Sequence, residues 1–332
     1  MFQAVSRLSR RRAAQAAAAL LVVSGLLLWW LFPLGEPGPR GDVRISTGLR
    51  NGVYDRYGEL LRTELAHDLP EVDVVLENSA GSQENLARVA GGGADFAIAT
   101  ADAVVKYRQK GEPGAAGLRG CARLYDDYVQ LVVAEDSPVR SVADLRGRKV
   151  GIGPEGSGVR LVAERLLQAA GLDPDTDVTR VPAGIDTAPG LMEKKAVDAF
   201  FWSGGLPTGA VEDLSRAMEI RLVPLPAALV EEVHRSSEAT SHYRQAVIPA
   251  DAYRNIDSRE PVPTMAVANL LVTTDTMDEG MVEGLTRTVI RSRDEIGQMV
   301  HPAQGVDLRT AIYTAPLALH EGAQRYYTSV KP

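Results

Sequence analysis

Between Ser141 and Ala170 the chain sets Gly151, Gly153, Gly156 and Gly158 around Ser157. Lys149 to Ile152 precede them as a short apolar strand, and Leu161, Val162, Arg165, Leu166 and Ala169 follow at helical spacing. Residues of these types in this order admit three chemistries. The first is anion binding: glycine lets backbone approach a ligand, Ser157 caps the helix and offers a hydroxyl, and the first helical turn presents unpaired N–H groups to a carboxylate or phosphate. A capped strand-to-helix turn that binds nothing has the same residues. The second is dinucleotide binding, because Gly151-Ile152-Gly153-Pro154-Glu155-Gly156 fits G-x-G-x-x-G between a strand and a helix. Against it, Asp175 and Asp177 stand before the next strand (Val178 to Val181), where a ribose-binding acid belongs at the strand's end, and Glu155 would face the pyrophosphate. The third is hydrolysis by Ser157, which lacks the first glycine of a G-x-S-x-G elbow because position 155 is glutamate. His67, His234, His242, His301 and His320 are scattered, with no H-E-x-x-H and no i, i+4 pair, and no two carboxylates are singled out by apolar context as acid and base.

The elements that would position such a site repeat one plan. Val43 to Thr47 reads as a strand, followed by the loop Gly48 to Tyr54 and a helix around Tyr57 to His67. Val72 to Glu77 is a second strand, followed by a turn of small residues from Ser79, a helix ended by Gly91-Gly92-Gly93, and a third strand over Phe96 to Ala99. Each strand feeds a polar, glycine-bearing loop. In open α/β sheets ligands sit beyond the carboxyl ends of strands, so these loops belong to the site-forming edge.

Five segments in order resemble one family: Ile45–Leu61 (ISTGLRNGVYDRYGELL), Ala80–Asp102 (AGSQENLARVAGGGADFAIATAD), Ser141–Arg160 (SVADLRGRKVGIGPEGSGVR), Val197–Val211 (VDAFFWSGGLPTGAV) and Leu319–Tyr327 (LHEGAQRYY). They look like the TAXI family, the extracytoplasmic solute receptors associated with TRAP transporters. The resemblance implies an α/β fold of the type II periplasmic-binding-protein kind, with two lobes, a cleft between them and a hinge of two crossover strands. Tyr128 to Ala134 and Thr264 to Thr273 are the apolar strands placed to act as that hinge. Lobe one is then 42–135 with 262–332, and lobe two is 136–261. Asp198 to Trp202 and Ile220 to Leu225 are further lobe-two strands, while Met277 to Val300 and Glu321 to Val330 are helices of lobe one.

Composition agrees with an ordinary globular protein: 332 residues, 45% hydrophobic and 24% charged, suffice for two α/β lobes. A net charge of −7 without a basic stripe argues against a nucleic-acid partner. The single cysteine, Cys121, excludes an intrachain disulfide and a thiolate metal cluster, and reads as a small buried or loop residue. No metal and no cofactor is expected.

The N-terminus carries Arg7, Arg10, Arg11 and Arg12 ahead of an apolar run from Ala13 to Leu34, broken by Gln15, Ser24, Gly25 and Pro33. A run of about 20 residues can span a bilayer, and the arginines keep the amino end cytoplasmic, so the bulk of the chain lies outside. Leu26 to Phe32 is bulky through Trp29-Trp30 and lacks an A-x-A site, so 1–34 is read as a retained signal-anchor, with a cleaved signal peptide as the alternative. No cysteine follows for lipid attachment, Ser9 to Arg12 could be a twin-arginine signal, and 35–41 is a Pro/Gly linker.

Carried over from the resemblance, the ligand-binding residues are Asn51, Gly52 and Tyr54 in the first loop, Gly81, Ser82 and Asn85 in the second, and Thr100, Ala101 and Asp102 after the third strand. Ser157, Gly158 and Val159 follow on the glycine turn, and Trp202, Gly205, Leu206 and Pro207 on the AFFW segment. Backbone N–H groups and Ser157 would hold an acidic group, Asn85 and Thr100 would bond polar edges, Asp102 would accept an ammonium, and Trp202 would face Tyr54 as an apolar wall. The first loop departs from the family's glycine-rich form by gaining Arg50, either a bidentate carboxylate clamp or a solvated loop charge. The expected function is that of a monomeric, non-enzymatic receptor. It would capture a small acidic or zwitterionic solute, such as glutamate or another amino acid or dicarboxylate, and deliver it to a TRAP-type permease. The alternatives are a membrane-anchored sensor of the same fold and a secreted hydrolase using Ser157.

Overall fold

The computed structural model describes residues 14–26, 38–236, 238–256 and 260–331. The chain divides into two compact units, Met1–Gly38 and Pro39–Pro332. In the first, residues 14–26 form a helix, and among the described residues no helix is long and apolar enough to cross a membrane. The expected span over Ala13 to Leu34 extends outside the described residues, and Trp29-Trp30 lie there.

The second unit is built on a ten-stranded sheet of β1 (Gly41–Ser46), β2 (Val72–Glu77), β3 (Phe96–Thr100), β4 (Leu118–Ala134), β5 (Lys149–Gly151), β6 (Thr179–Val181), β7 (Ala199–Gly204), β8 (Ile220–Val223), β9 (Tyr243–Ile248) and β10 (Val262–Thr274). The order is β2-β1-β3-β10-β4-β7-β5-β6, with β8 on β4 and β9 on β10. β1, β2 and β3 are parallel, as are β6, β5 and β7, so two parallel sets flank the antiparallel pair β4 and β10. The pair is long because it serves both sides. Leu118 to Tyr128 pairs with β10 beside β3, and Tyr128 to Val133 then pairs with β7 while Val262 to Val267 pairs with β9. The register between the two slips at Ala268/Leu270 and again at Leu271/Val272.

Continuous apolar runs make the central strands: all five residues of β3 and all six of β7 are buried, as expected where helices cover both faces. One hydrophobic cluster gathers Val129 to Val267 around Phe200, Phe201 and Leu166. A second centres on Ile45, Tyr57, Leu61, Phe96 and Leu285, and a third on Leu86, Ala99, Val104 and Leu270. Leu161, on the helix Gly158–Ala169 otherwise packed in the first cluster, belongs to the third.

Met277 to Val300 is not one helix. Glu279–Arg291 and Arg293–Gly297 are separated at Ser292, whose hydroxyl donates back to the Thr288 carbonyl at 2.7 Å, and a 3₁₀ turn over His301–Gly305 follows at Pro302. The helix Glu321–Ser329 is capped by His320, whose Nδ1 accepts from the Gly322 amide at 3.1 Å. Cys121 is buried and unpaired, and burial raises its thiol pKa.

Candidate functional site

Four helices begin on one cavity. Val53–Asp68 starts after β1 with Gly52 at its N-cap, Ser82–Ala90 after β2 with Gly81, Ala101–Gln109 after β3 with Thr100, and Gly158–Ala169 after β5 with Ser157. All four caps line the cavity, together with Gly48, Leu49, Val53, Tyr54, Ala80, Ser82, Asp127, Gly158, Val159 and the β7 end Trp202, Ser203 and Gly204. Its volume open to the centre of a water molecule is about 50 Å³. Each helix start carries a partial positive charge of roughly half an electron, so the walls favour an anionic group.

The two turns that enclose it touch. The Gly156 carbonyl accepts from the amides of Gln83 (3.0 Å) and Glu84 (3.1 Å), and Gln83 Nε2 donates to the Ser157 carbonyl at 2.7 Å. The first turn of Ser82–Ala90 is therefore occupied by the facing turn rather than free for a ligand. On that facing turn, Ser157 Oγ accepts from the Arg160 amide (3.0 Å) and donates to the Pro154 carbonyl (2.7 Å), which leaves the cavity-lining amides of Gly158 and Val159. Close approach requires glycine here: a Cβ on Gly158 would stand 3.1 Å from Ser82 Oγ, and Gly81 adopts φ +129 with Ser157 Cα 3.5 Å from a would-be Cβ.

A hydrogen-bond chain crosses the floor. The Thr100 amide donates to Ser82 Oγ at 3.1 Å, Ser82 Oγ lies 3.3 Å from the Tyr54 hydroxyl, and Tyr54 donates to Asn269 Oδ1. Because Tyr54 has one proton and gives it to Asn269, Ser82 is the donor in their bond. Asn269 Nδ2 then donates to Asp127 Oδ1 at 2.7 Å. Burial pushes the Asp127 carboxyl up to about 7, against the Asn269 hydrogen bond, with Asp126 and Asp102 adding to the rise. Burial, with Asp127 next, holds the Tyr54 hydroxyl well above the usual phenol range. Thr100 Oγ1 and Ser203 Oγ are buried without a hydrogen-bond partner, and both residues line the cavity. Trp202 supplies the apolar wall, its indole N–H fixed on Thr208 Oγ1 at 3.0 Å.

Of the residues expected from the sequence, Gly52, Tyr54, Gly81, Ser82, Thr100, Ser157, Gly158, Val159 and Trp202 come together here. The others stand elsewhere. Arg50 and Asn51 are exposed, and Asn51 (φ 63) donates its amide to Asp55. Asn85 is fully buried as a staple: its Nδ2 donates to the carbonyls of Thr47 (2.5 Å) and Ile98 (2.7 Å), and its Oδ1 accepts from Ser46 (2.7 Å) and Ser79 (2.6 Å). Ala101 is core. Asp102 is engaged within the protein, accepting from Arg165 Nη1 (3.0 Å) and the Tyr243 hydroxyl (2.6 Å). Gly205 packs on Pro302, while Leu206 and Pro207 line a separate groove of about 800 Å³ with Arg123, Tyr128 and His301. Asp127, Ser203 and Gly48 line the cavity without having been singled out in the sequence. The available signal was the Asp126-Asp127 pair directly before the run Tyr128 to Ala134.

Solved structures with the same fold include a protein from Bordetella bronchiseptica RB50 (TM-score 0.54, 18% identity, covering 90% of this chain and 92% of that one). The periplasmic binding protein BugD aligns at TM-score 0.56 and 13% identity over 88% and 94%, and a periplasmic transporter at 0.52 and 15% over 87% and 92%. The fold is thus the α/β fold of periplasmic binding proteins. The family model described as NMT1-like matches residues 45–329, nearly the whole second unit, and the chain belongs to the NMT1-like family.

Proposed function

We propose that the protein is an extracytoplasmic solute receptor that closes two lobes, 42–135 with 262–332 and 136–261, around a small polar acid or zwitterion. The carrying observation is the cavity whose walls come from turns on both sides of the β4 and β10 pair and whose Thr100 and Ser203 hydroxyls have no protein partner among the described residues. Its size supports a small solute. A sphere of 50 Å³ has a radius of about 2.3 Å, and adding a water radius of about 1.4 Å gives roughly 210 Å³, or about seven waters' worth of space. The separate hydrophobic clusters on either side of the central pair support two lobes hinged on β4 and β10. Delivery to a TRAP-type permease, as in TAXI receptors, and retention by the N-terminal segment complete the reading. A hydrolase is disfavoured because the Ser157 hydroxyl is taken by Pro154, and among the described residues no histidine is hydrogen-bonded to it.

A thermal-shift screen of the full-length protein against amino acids, dicarboxylates and short organic acids tests this. A ligand at about 100 times its Kd adds about 2.7 kcal/mol, which is roughly 4 °C for a folded unit near 300 residues. No shift from any member of the panel would refute it. A histidine kinase rather than a permease encoded beside the gene would favour the sensor with the same cavity.

A further inference from the structure

Resting on the reading of the cavity as a solute site, we propose that Asp127 is its cation-reading residue and that the solute is a small net-neutral zwitterion, its ammonium on Asp127 Oδ2 and its carboxylate at the Gly158 end. Asp127 has the only carboxylate among the lining residues, and no lysine, arginine or histidine lines the cavity with it. It is 3% exposed, Asn269 holds Oδ1 at 2.7 Å, and among the described residues Oδ2 has no hydrogen-bond partner. Asn269 is itself fixed by Tyr54, so the carboxylate is aimed rather than mobile.

A carboxylate held in place with one oxygen unmet asks for a donor, and a charged donor meets it best. The opposite end has the complementary character. The amides of Gly158 and Val159 open a helix of 12 residues, and Thr100 Oγ1, buried and unpartnered, stands 3.5 Å from the position of a Cβ on Gly158. A dicarboxylate would bring two negative charges to a third with no lining cation to offset them, whereas a zwitterion matches both ends. Space for about seven waters suits an amino acid of six to eight non-hydrogen atoms.

The charged and titratable groups around Asp127 are Asp126 and Tyr125 on its own strand, Tyr54 on the helix after β1 and Asp102 on the helix after β3. None of them is a cation. With the cavity empty the carboxyl titrates up at about 7, chiefly because it is buried, so an arriving ammonium displaces a proton from it near neutral pH.

The test is titration calorimetry on the full-length protein with pairs that differ only in the ammonium: L-alanine and propionate, L-valine and isovalerate, L-serine and 3-hydroxypropionate. At least one amino acid should bind about tenfold or more tighter than its deamino partner, and Asp127→Asn should weaken that amino acid about 10- to 100-fold without weakening the partner. Binding near pH 7 should release protons, measured in buffers of different ionisation heat. If the variant does not fold, the pair comparison and proton release on the native protein decide the matter. A deamino acid that binds as well as or better than its amino partner, or binding without proton release, overturns the assignment and leaves the solute site standing. Failure of every member of every pair overturns the solute site as well.

Discussion

Arg165→Met should weaken solute binding far more than it weakens folding. Asp102 lies on the helix after β3, Arg165 on Gly158–Ala169 and Tyr243 at the start of β9, so their contact joins the two proposed lobes. The three groups are mutually bonded: Arg165 to Asp102 at 3.0 Å, Tyr243 to Asp102 at 2.6 Å and Arg165 to Tyr243 at 2.7 Å, with the guanidinium 5.5 Å from the Tyr243 ring centre. Side-chain exposure is 2% for Asp102 and 11% for Arg165, so solvent screens the pair weakly. Removing the guanidinium leaves a buried carboxylate with only the Tyr243 donor, a loss of about 3–5 kcal/mol when the surroundings cannot relax. Opening the cleft hydrates Asp102, so the penalty falls on the closed state. With Tyr243 still donating, about 2 kcal/mol is a fair lower value, or roughly 30-fold in Kd. Asp102→Asn combined with Arg165→Met should recover part of the loss, giving a coupling of about 1–3 kcal/mol. Calorimetric Kd values set beside urea unfolding of the same proteins measure both sides. A Kd within threefold of wild type, or an unfolding loss equal to the binding loss, would refute the triad as a closure contact.

Asn85→Ala should cost about 3 kcal/mol or more in urea unfolding, because it breaks four buried hydrogen bonds that tie the end of β1, Ser79 and β3 to the helix Ser82–Ala90. A loss under about 1 kcal/mol would return Asn85 to the list of ligand contacts. Arg50→Ala should leave Kd within about twofold, since Arg50 is exposed and does not line the cavity; a loss of tenfold or more would restore the carboxylate clamp. The empty protein should lose stability as pH rises from about 4 to about 7. Asp127 keeps its proton in the native state while the unfolded chain, titrating near 3.8, has released it, so the native state binds more protons and unfolding becomes easier. About three pH units at 1.36 kcal/mol each give a contribution of roughly 4 kcal/mol, present below about pH 4 and lost above about pH 7. Asp127→Asn should remove that slope, and parallel wild-type and variant profiles would contradict the assigned titration.

How far the sequence reveals the site depends on the range of each interaction. β2 runs over Val72–Glu77 as its residues predict, and β1, β3, β5 and β7 lie within two residues of their expected bounds, because each is a short, apolar-centred run ended by a polar or small residue. Nine of the expected cavity residues sit at the ends of these strands and in the turns and helix starts that follow, for the same local reason. Asn85 shows the limit. An asparagine one turn into a helix after Gly81-Ser82 has one appearance in sequence whether it faces a ligand or ties β1 to β3, and only the neighbouring strands decide. Asp102 pairs with residues 63 and 141 positions away, a relation that periodicity does not carry. Asp127 escapes notice because the apolar pattern clearly starts at Tyr128, whereas β4 begins at Leu118 and continues through Asp126-Asp127. β9 escapes because Arg244 and Gln245 interrupt the apolar pattern on a strand paired only with β10.

On the proposed two-lobed reading, the contacts that close the cleft and the contacts left for a solute are made by different atoms. Closure uses the Gly156 carbonyl on two amides, Gln83 on the Ser157 carbonyl, the Arg165 triad, and Leu161 seated among Leu86, Ala99 and Val104. Those bonds are made between protein atoms and use none of the groups left for a solute. A ligand can shift the closure equilibrium only by what it gains in the closed state over the open one. In the proposed closed cavity the gain comes from the groups a solute would pair, namely the buried hydroxyls Thr100 Oγ1 and Ser203 Oγ and the carboxylate of Asp127. On that reading, closure without a solute leaves the two hydroxyls buried and unpaired, a penalty of about 1–3 kcal/mol per group. A solute that pairs both hydroxyls removes that penalty, and an ammonium on Asp127 adds a charged hydrogen bond to the gain. Under the proposed function, selectivity and closure are in this way set by the same three side chains, with no separate element needed to couple recognition to motion.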